Sequence, residues 1–123
     1  MILNMDVNHT DIQVELLPSS SAKALEELLK DGPLTISMKD YAHMEKFGDL
    51  GVRLPRNDRH ITTKAGDVIL SEGNLLVIYY APNTWNFTRL GRVVNMTEKE
   101  LKKVLGKGNI TATLTLRTEQ KGA

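Results

Sequence analysis

The chain has 123 residues, 41% hydrophobic and 25% charged, with a net charge of +1 and no cysteine. A length of this order makes one domain that buries roughly two-thirds of the surface its unfolded chain exposes. Absence of cysteine excludes disulfides and thiol catalysis, and near-neutrality leaves no strong field to gather nucleic acid or anionic lipid.

Ile2–Val7 alternates, with Leu3, Met5 and Val7 on one side and Asn4 and Asp6 on the other. After Asn8-His9, Asp11–Leu16 alternates as well, so the two runs predict a hairpin. Pro18-Ser19-Ser20-Ser21 breaks the period of two, and a serine there can accept from a free helix amide. Ala22, Leu25, Leu28 and Leu29 then make the one-sided stripe of a helix, which Asp31-Gly32-Pro33 ends. Leu34–Lys39 is again a strand by alternation, and Asp40–Asp49 is read as a strand with a bulge. Gly51–Pro55 is a short extended piece, and polar Arg56–Lys64 is expected to be a surface loop.

Ala65-Gly66-Asp67 turns into Val68–Leu70, and Ser71–Asn74 turns into Leu75–Tyr80. So short an apolar run, rich in β-branched and aromatic residues, predicts a central strand buried on both faces. It stops at Ala81-Pro82-Asn83, a loop then carries Trp85 and Phe87, and Arg89–Val94 returns as a strand. Thr97 with Glu100 is a capping box, ahead of a helix with Leu101, Val104 and Leu105 on its apolar side and Gly106 or Gly108 at its end. Asn109–Arg117 alternates cleanly as a last strand. Short, one-face-apolar strands with two narrow-striped helices predict a mainly β fold, a closed antiparallel eight-stranded barrel over residues 1–117 with a helix at each end. Residues 118–123 are a polar tail, expected to fray. No apolar run is long enough to span a bilayer, and no basic start precedes a long apolar stretch. A cytoplasmic chain without a signal peptide is expected.

The order of elements is that of cyclophilins. Ser20–Leu29, SSAKALEELL, and Pro33–Met38, PLTISM, resemble the start of the small bacterial and archaeal cyclophilin-like proteins. Glu45-Lys46, Leu54-Pro55, Ala65-Gly66-Asp67, Gly73-Asn74-Leu75 and Leu90-Gly91-Arg92 are similar to the same group, in the same order. The resemblance implies the barrel and not prolyl isomerase activity. PLTISMKDY has neither the arginine nor the glutamine of true cyclophilins. Arg53 stands in GVRLP without the Phe-Met…Gln pattern after it.

Tyr79 and Tyr80 must point to opposite sides of their strand. An exposed tyrosine beside Trp85 and Phe87 would form a platform for a proline ring, a flat molecule or a peptide; alternatively the two aromatics cover the barrel mouth as core. Arg92, beside Gly91, either forks onto an anion or pairs with Glu45. His9, His43 and His60 lack metal-ligand spacing; His43 with Glu45 is the nearest to a ligand pair. No metal, no cofactor, no nucleic acid and no membrane partner is expected, and no catalytic residue is assigned. The sequence reading is a binding domain for a small molecule or extended peptide, in a groove edged by Met38, Tyr80, Trp85 and Arg92, with Glu45, Arg53 and Phe87 as further candidates. Two alternatives stay open: a prolyl isomerase with a non-standard site, in which Arg53 or Arg92 faces the amide nitrogen, and an interaction subunit for a neighbouring enzyme.

Overall fold

The computed structural model describes residues 1–106 and 108–117. Lys107 and the tail 118–123 lie outside the described residues. The first hairpin follows its alternation: β1 (Ile2–Val7) pairs antiparallel with β2 (Thr10–Leu16). Ser19 caps α1 (Ser20–Lys30), its Oγ accepting from the Ala22 amide at 3.1 Å. The buried stripe of α1 is Ala22, Leu25 and Leu29.

Three segments depart from the pattern their sequence predicts. Asp40–Asp49 is not one bulged strand but the end of β3 (Leu34–Tyr41), a tight turn, and β4 (Glu45–Asp49). Ala42 and His43 take φ of 52° and 55° without the help of glycine, which is why the turn left no mark in the sequence. Arg56–Lys64 is not all loop: it contains β5 (Arg59–Thr62). Nor do Trp85 and Phe87 lie in a loop. After β6 (Asp67–Ser71) and β7 (Leu75–Tyr79), β8 (Thr84–Val93) begins before them and pairs Thr84–Phe87 with β5. The chain closes with α2 (Glu98–Leu105), carrying the capping box of Thr97 and Glu100, and β9 (Ile110–Arg117). Gly51–Pro55 forms no strand, although the Leu54 amide is held on the Gly73 carbonyl at 2.8 Å.

The strand order β2-β1-β9-β3-β4-β7-β6-β8 closes through a β2–β8 pairing, every neighbour antiparallel; β5 hangs from β8 as an extra strand. Closure needs Gly91. It sits opposite Leu16, and a Cβ there would collide with the Glu15 carbonyl oxygen. Register places Leu16, Leu34 and Leu114 at the barrel end where α1 enters, and Met38 and Ile110 at the other, where α2 leads in.

Alternation divides the apolar residues between two cores. Leu3, Met5, Ile12, Val14, Met38, Leu76, Ile78 and Tyr80, with helix residues such as Leu25 and Leu101, fill the barrel. The alternate residues of β6 and β7 (Ile69, Val77 and Tyr79) face outward, where Phe87 buries them. Met44, Phe47, Ile61 and Leu75 pack around this outer cluster. The central strand is thus buried on both faces, as its run of apolar residues predicts, and the cover outside is the β5–β8 ribbon rather than a helix.

Candidate binding hollow on the outer wall

The outer cluster is incompletely roofed. Between the barrel wall and the ribbon lies a hollow of about 370 Å³. Five of the chain's six aromatic residues line it: Tyr41, Phe47, Tyr79, Trp85 and Phe87. Strand parity explains the convergence. Lys39 pairs with Phe47 and Tyr41 with Glu45, so Tyr41 and Phe47 are diagonal neighbours on one face. Their rings meet edge to face, with centroids 6.4 Å apart and an interplanar angle of 79°. Tyr79 and Phe87 pack with centroids 5.7 Å apart. Trp85, two residues before Phe87 on the same side of β8, stands at the rim and is 63% exposed.

One acid lies among these rings. Glu45 is only 8% exposed. Burial holds its carboxyl above the usual range; a hydrogen bond with Tyr79 works against this, and the Asp40 charge adds to it. Burial also pushes the Tyr79 phenol up, while its oxygen accepts from Asn83 Nδ2 at 3.1 Å. Glu72 also lines the hollow, and among the described residues no lysine or arginine does. Such a site offers ring faces and negative charge, the features that attract an organic cation.

The structure brings Glu45, Trp85 and Phe87 together and separates the other sequence candidates from them. Met38 is wholly buried inside the barrel, beneath Gly48. It cannot edge an outer groove, because β3 turns its even-numbered aliphatic side chains inward. Tyr80 also belongs to the inner face; its hydroxyl donates to Asp40. It borders a different hollow, beside Lys102 and Lys103 of α2. Arg53 donates to the Glu72 carbonyl at 3.0 Å and borders a shallow depression with Asp49 and Asn74. Arg92 does not pair with Glu45: its Nε lies 3.2 Å from Asp67, directly across from it in the β6–β8 register. Trp85 and Arg92 therefore share no site. His43 lies 3.6 Å from Asp40, not beside Glu45 as a ligand pair. Among the described residues no group of three or more metal-ligating side chains forms.

A second polar group ties the barrel to α2. Lys46 is fully buried, and its Nζ donates to Asp40 at 3.0 Å and to the Gly106 and Gly108 carbonyls at 2.9 and 2.5 Å. The ammonium also lies 5.5 Å from the Tyr80 ring centre. Burial raises the Asp40 carboxyl, but hydrogen bonds from Tyr80 and Lys46 outweigh it and hold the group below its ordinary value. This cluster is spent on its own contacts.

Fold and hollow together define the class: a closed antiparallel barrel, lidded by two helices, with an aromatic and acidic depression on its outer wall. The chain belongs to the Cyclophilin-like family, which matches it over residues 5–115. The solution structure of the hypothetical protein AF2241 from Archaeoglobus fulgidus is similar, with a TM-score of 0.68 at 16% identity over 94% of this chain and 93% of that one. McbB, solved in complex with tryptophan, gives a TM-score of 0.63 at 16% identity over 98% of this chain, which spans 46% of McbB. At these identities the likeness is one of fold. A comparison with curated proteins returned no match.

Proposed function

We propose that this chain is a binding domain whose outer-wall hollow takes a small organic molecule, or one side chain of an extended peptide, with a flat apolar body and a cationic nitrogen. The observation that carries the reading is the gathering of five aromatic rings around the nearly buried Glu45. Rings accept a flat body by stacking and a cation over their faces, and the carboxylate orients the nitrogen. Burial of that carboxylate without a cationic partner is costly, which leaves room for a ligand to recover the cost. The tryptophan bound by McbB is a flat body with an amine, in a protein of the same fold. Prolyl isomerisation has less support, because among the described residues no arginine borders this hollow to face an amide nitrogen.

Trp85 is the only tryptophan and stands at the rim, so its emission reports occupancy directly. Titration with phenethylamine should change that emission saturably, and phenylacetate should not. Glu45→Gln should weaken the amine roughly tenfold, in line with the loss of about 1.4 kcal/mol from one charged contact. Equal responses to amine and acid, or none to either, would refute the reading. A proline-peptide cleavage assay that exceeds background would favour the isomerase. A stable complex in a pull-down, with no small-molecule response, would favour an interaction subunit.

A further inference from the structure

On the far side of Phe87 the character of the surface reverses. A hollow of about 320 Å³ is bordered there by Arg59, Arg89, Asn57 and Ser19, with Leu17 and Ile61 beside the Phe87 ring. We infer that this is a second, separate site, built for a small molecule that carries an oxyanion — a carboxylate or phosphate group — on a compact apolar body.

The charge balance around it is positive. Two acids lie close by, and both are engaged. Asp58 accepts from Thr88 Oγ1 at 2.6 Å and from Arg56. Asp67 is fully buried between Arg89 and Arg92, each 3.2 Å away. Asp58 and Asp67 are thus taken by Arg56, Arg89 and Arg92, Glu15 stands across from Arg92 in the β2–β8 register, and Arg59 has no acidic partner among the described residues. Among the described residues no acid borders the hollow itself. Arg59 pairs in register with Phe87, so Arg89 is its diagonal neighbour across the ribbon, a placement that lets two guanidiniums converge on one anion.

Arg89 is incompletely used. A guanidinium has five N–H donors; Nη2 reaches Asp67, whereas Nε is buried with no hydrogen-bond partner. Buried polar groups are normally satisfied, and this unmet donor belongs to a side chain that lines the cationic hollow. Ser19, the N-cap of α1, also lines it, and amide dipoles at a helix N-terminus favour negative charge. Phe87, Ile61 and Leu17 supply the wall for the apolar body and lower the local dielectric, which strengthens an arginine–oxyanion pair.

The site is independent of the amine reading, since only Phe87 is common to both hollows. It is tested by NMR titration of the backbone amides with benzoate and with inorganic phosphate, at ionic strength held constant with chloride. The inference expects saturable shifts at Ser19, Asn57 and Arg59 with at least one probe, and the better probe tells carboxylate from phosphate. Arg59→Gln, an exposed position that leaves the fold intact, should weaken binding roughly tenfold, as should Arg89→Gln if it folds. Arg56→Gln, whose charge is taken by Asp58, and Glu45→Gln should bind as the parent does. No saturable shift with either probe, or unchanged affinity in Arg59→Gln, would overturn the inference.

Discussion

The inside and the outside of one barrel wall are made by the same strands and built to different ends. Leu76, Ile78 and Tyr80 of β7 enter the closed interior, where neighbours on every side exclude water. Val77 and Tyr79, between them in sequence, enter the outer cluster, which has only a two-stranded ribbon for a roof. The interior is chiefly aliphatic, and its buried cation, Lys46, is fully bonded; the outer cluster is aromatic, and its acid has no cationic partner among the described residues. A period of two can therefore assign stability to one face and recognition to the other. Substitutions on the two faces should separate these roles.

The largest effect is expected at Lys46. Lys46→Ala takes the cation from Asp40, which keeps its bond from Tyr80, and leaves two glycine carbonyls without their donor; it should cost about 3–5 kcal/mol in urea unfolding. Ile78→Ala empties a fully buried position and should cost about 2–5 kcal/mol while leaving amine binding near the parent value. Equal loss of stability and binding in that variant would mean that the two faces are not separable.

Acid should act next. The Asp40 carboxyl lies lower in the folded chain than in the unfolded one. Its contribution is therefore present above the unfolded value, roughly pH 4, and disappears as pH falls through the lower folded value. The urea midpoint should drop over that window, and Asp40→Asn should flatten the drop; an unchanged slope would remove Asp40 as its source. Glu45 carries the opposite sign. Its folded carboxyl is raised, so its favourable contribution is present below about pH 4.3 and lost as pH rises through the folded value. Glu45→Gln should then stabilise the chain slightly at neutral pH while it weakens the amine. The smallest effect on folding is expected at exposed Trp85: Trp85→Ala should change stability by no more than about 0.5 kcal/mol and still reduce amine affinity.

Much of the barrel could be read from alternation, because a strand with one buried face writes its period into the sequence. β1, β2 and β9, both helix caps and the doubly buried β7 follow their patterns. The turn at Ala42-His43 was hidden, since neither residue advertises a positive φ. β5 was hidden because Arg59, His60 and Thr62 carry little apolar content, and the strand exists only against β8. Missing the turn also hid half of the hollow: only a hairpin folds Tyr41 back against Glu45 and Phe47. Trp85 and Phe87 could be picked out as aromatics near a proline. Met38 and Arg92 could not be placed, because which way β3 faces and which acid Arg92 meets depend on register between distant strands.

A ring of strands has no beginning or end, so it offers a passing chain nothing to zip onto. β5 is the exception, since it terminates the strand order with one flank of backbone amides and carbonyls unmatched by any strand among the described residues. The flank is four residues long and bears Arg59 and His60, which is short and polar enough to discourage stacking into larger sheets. Protection from aggregation in this chain is therefore concentrated in one tetrapeptide, and an apolar substitution there threatens solubility before it threatens the barrel.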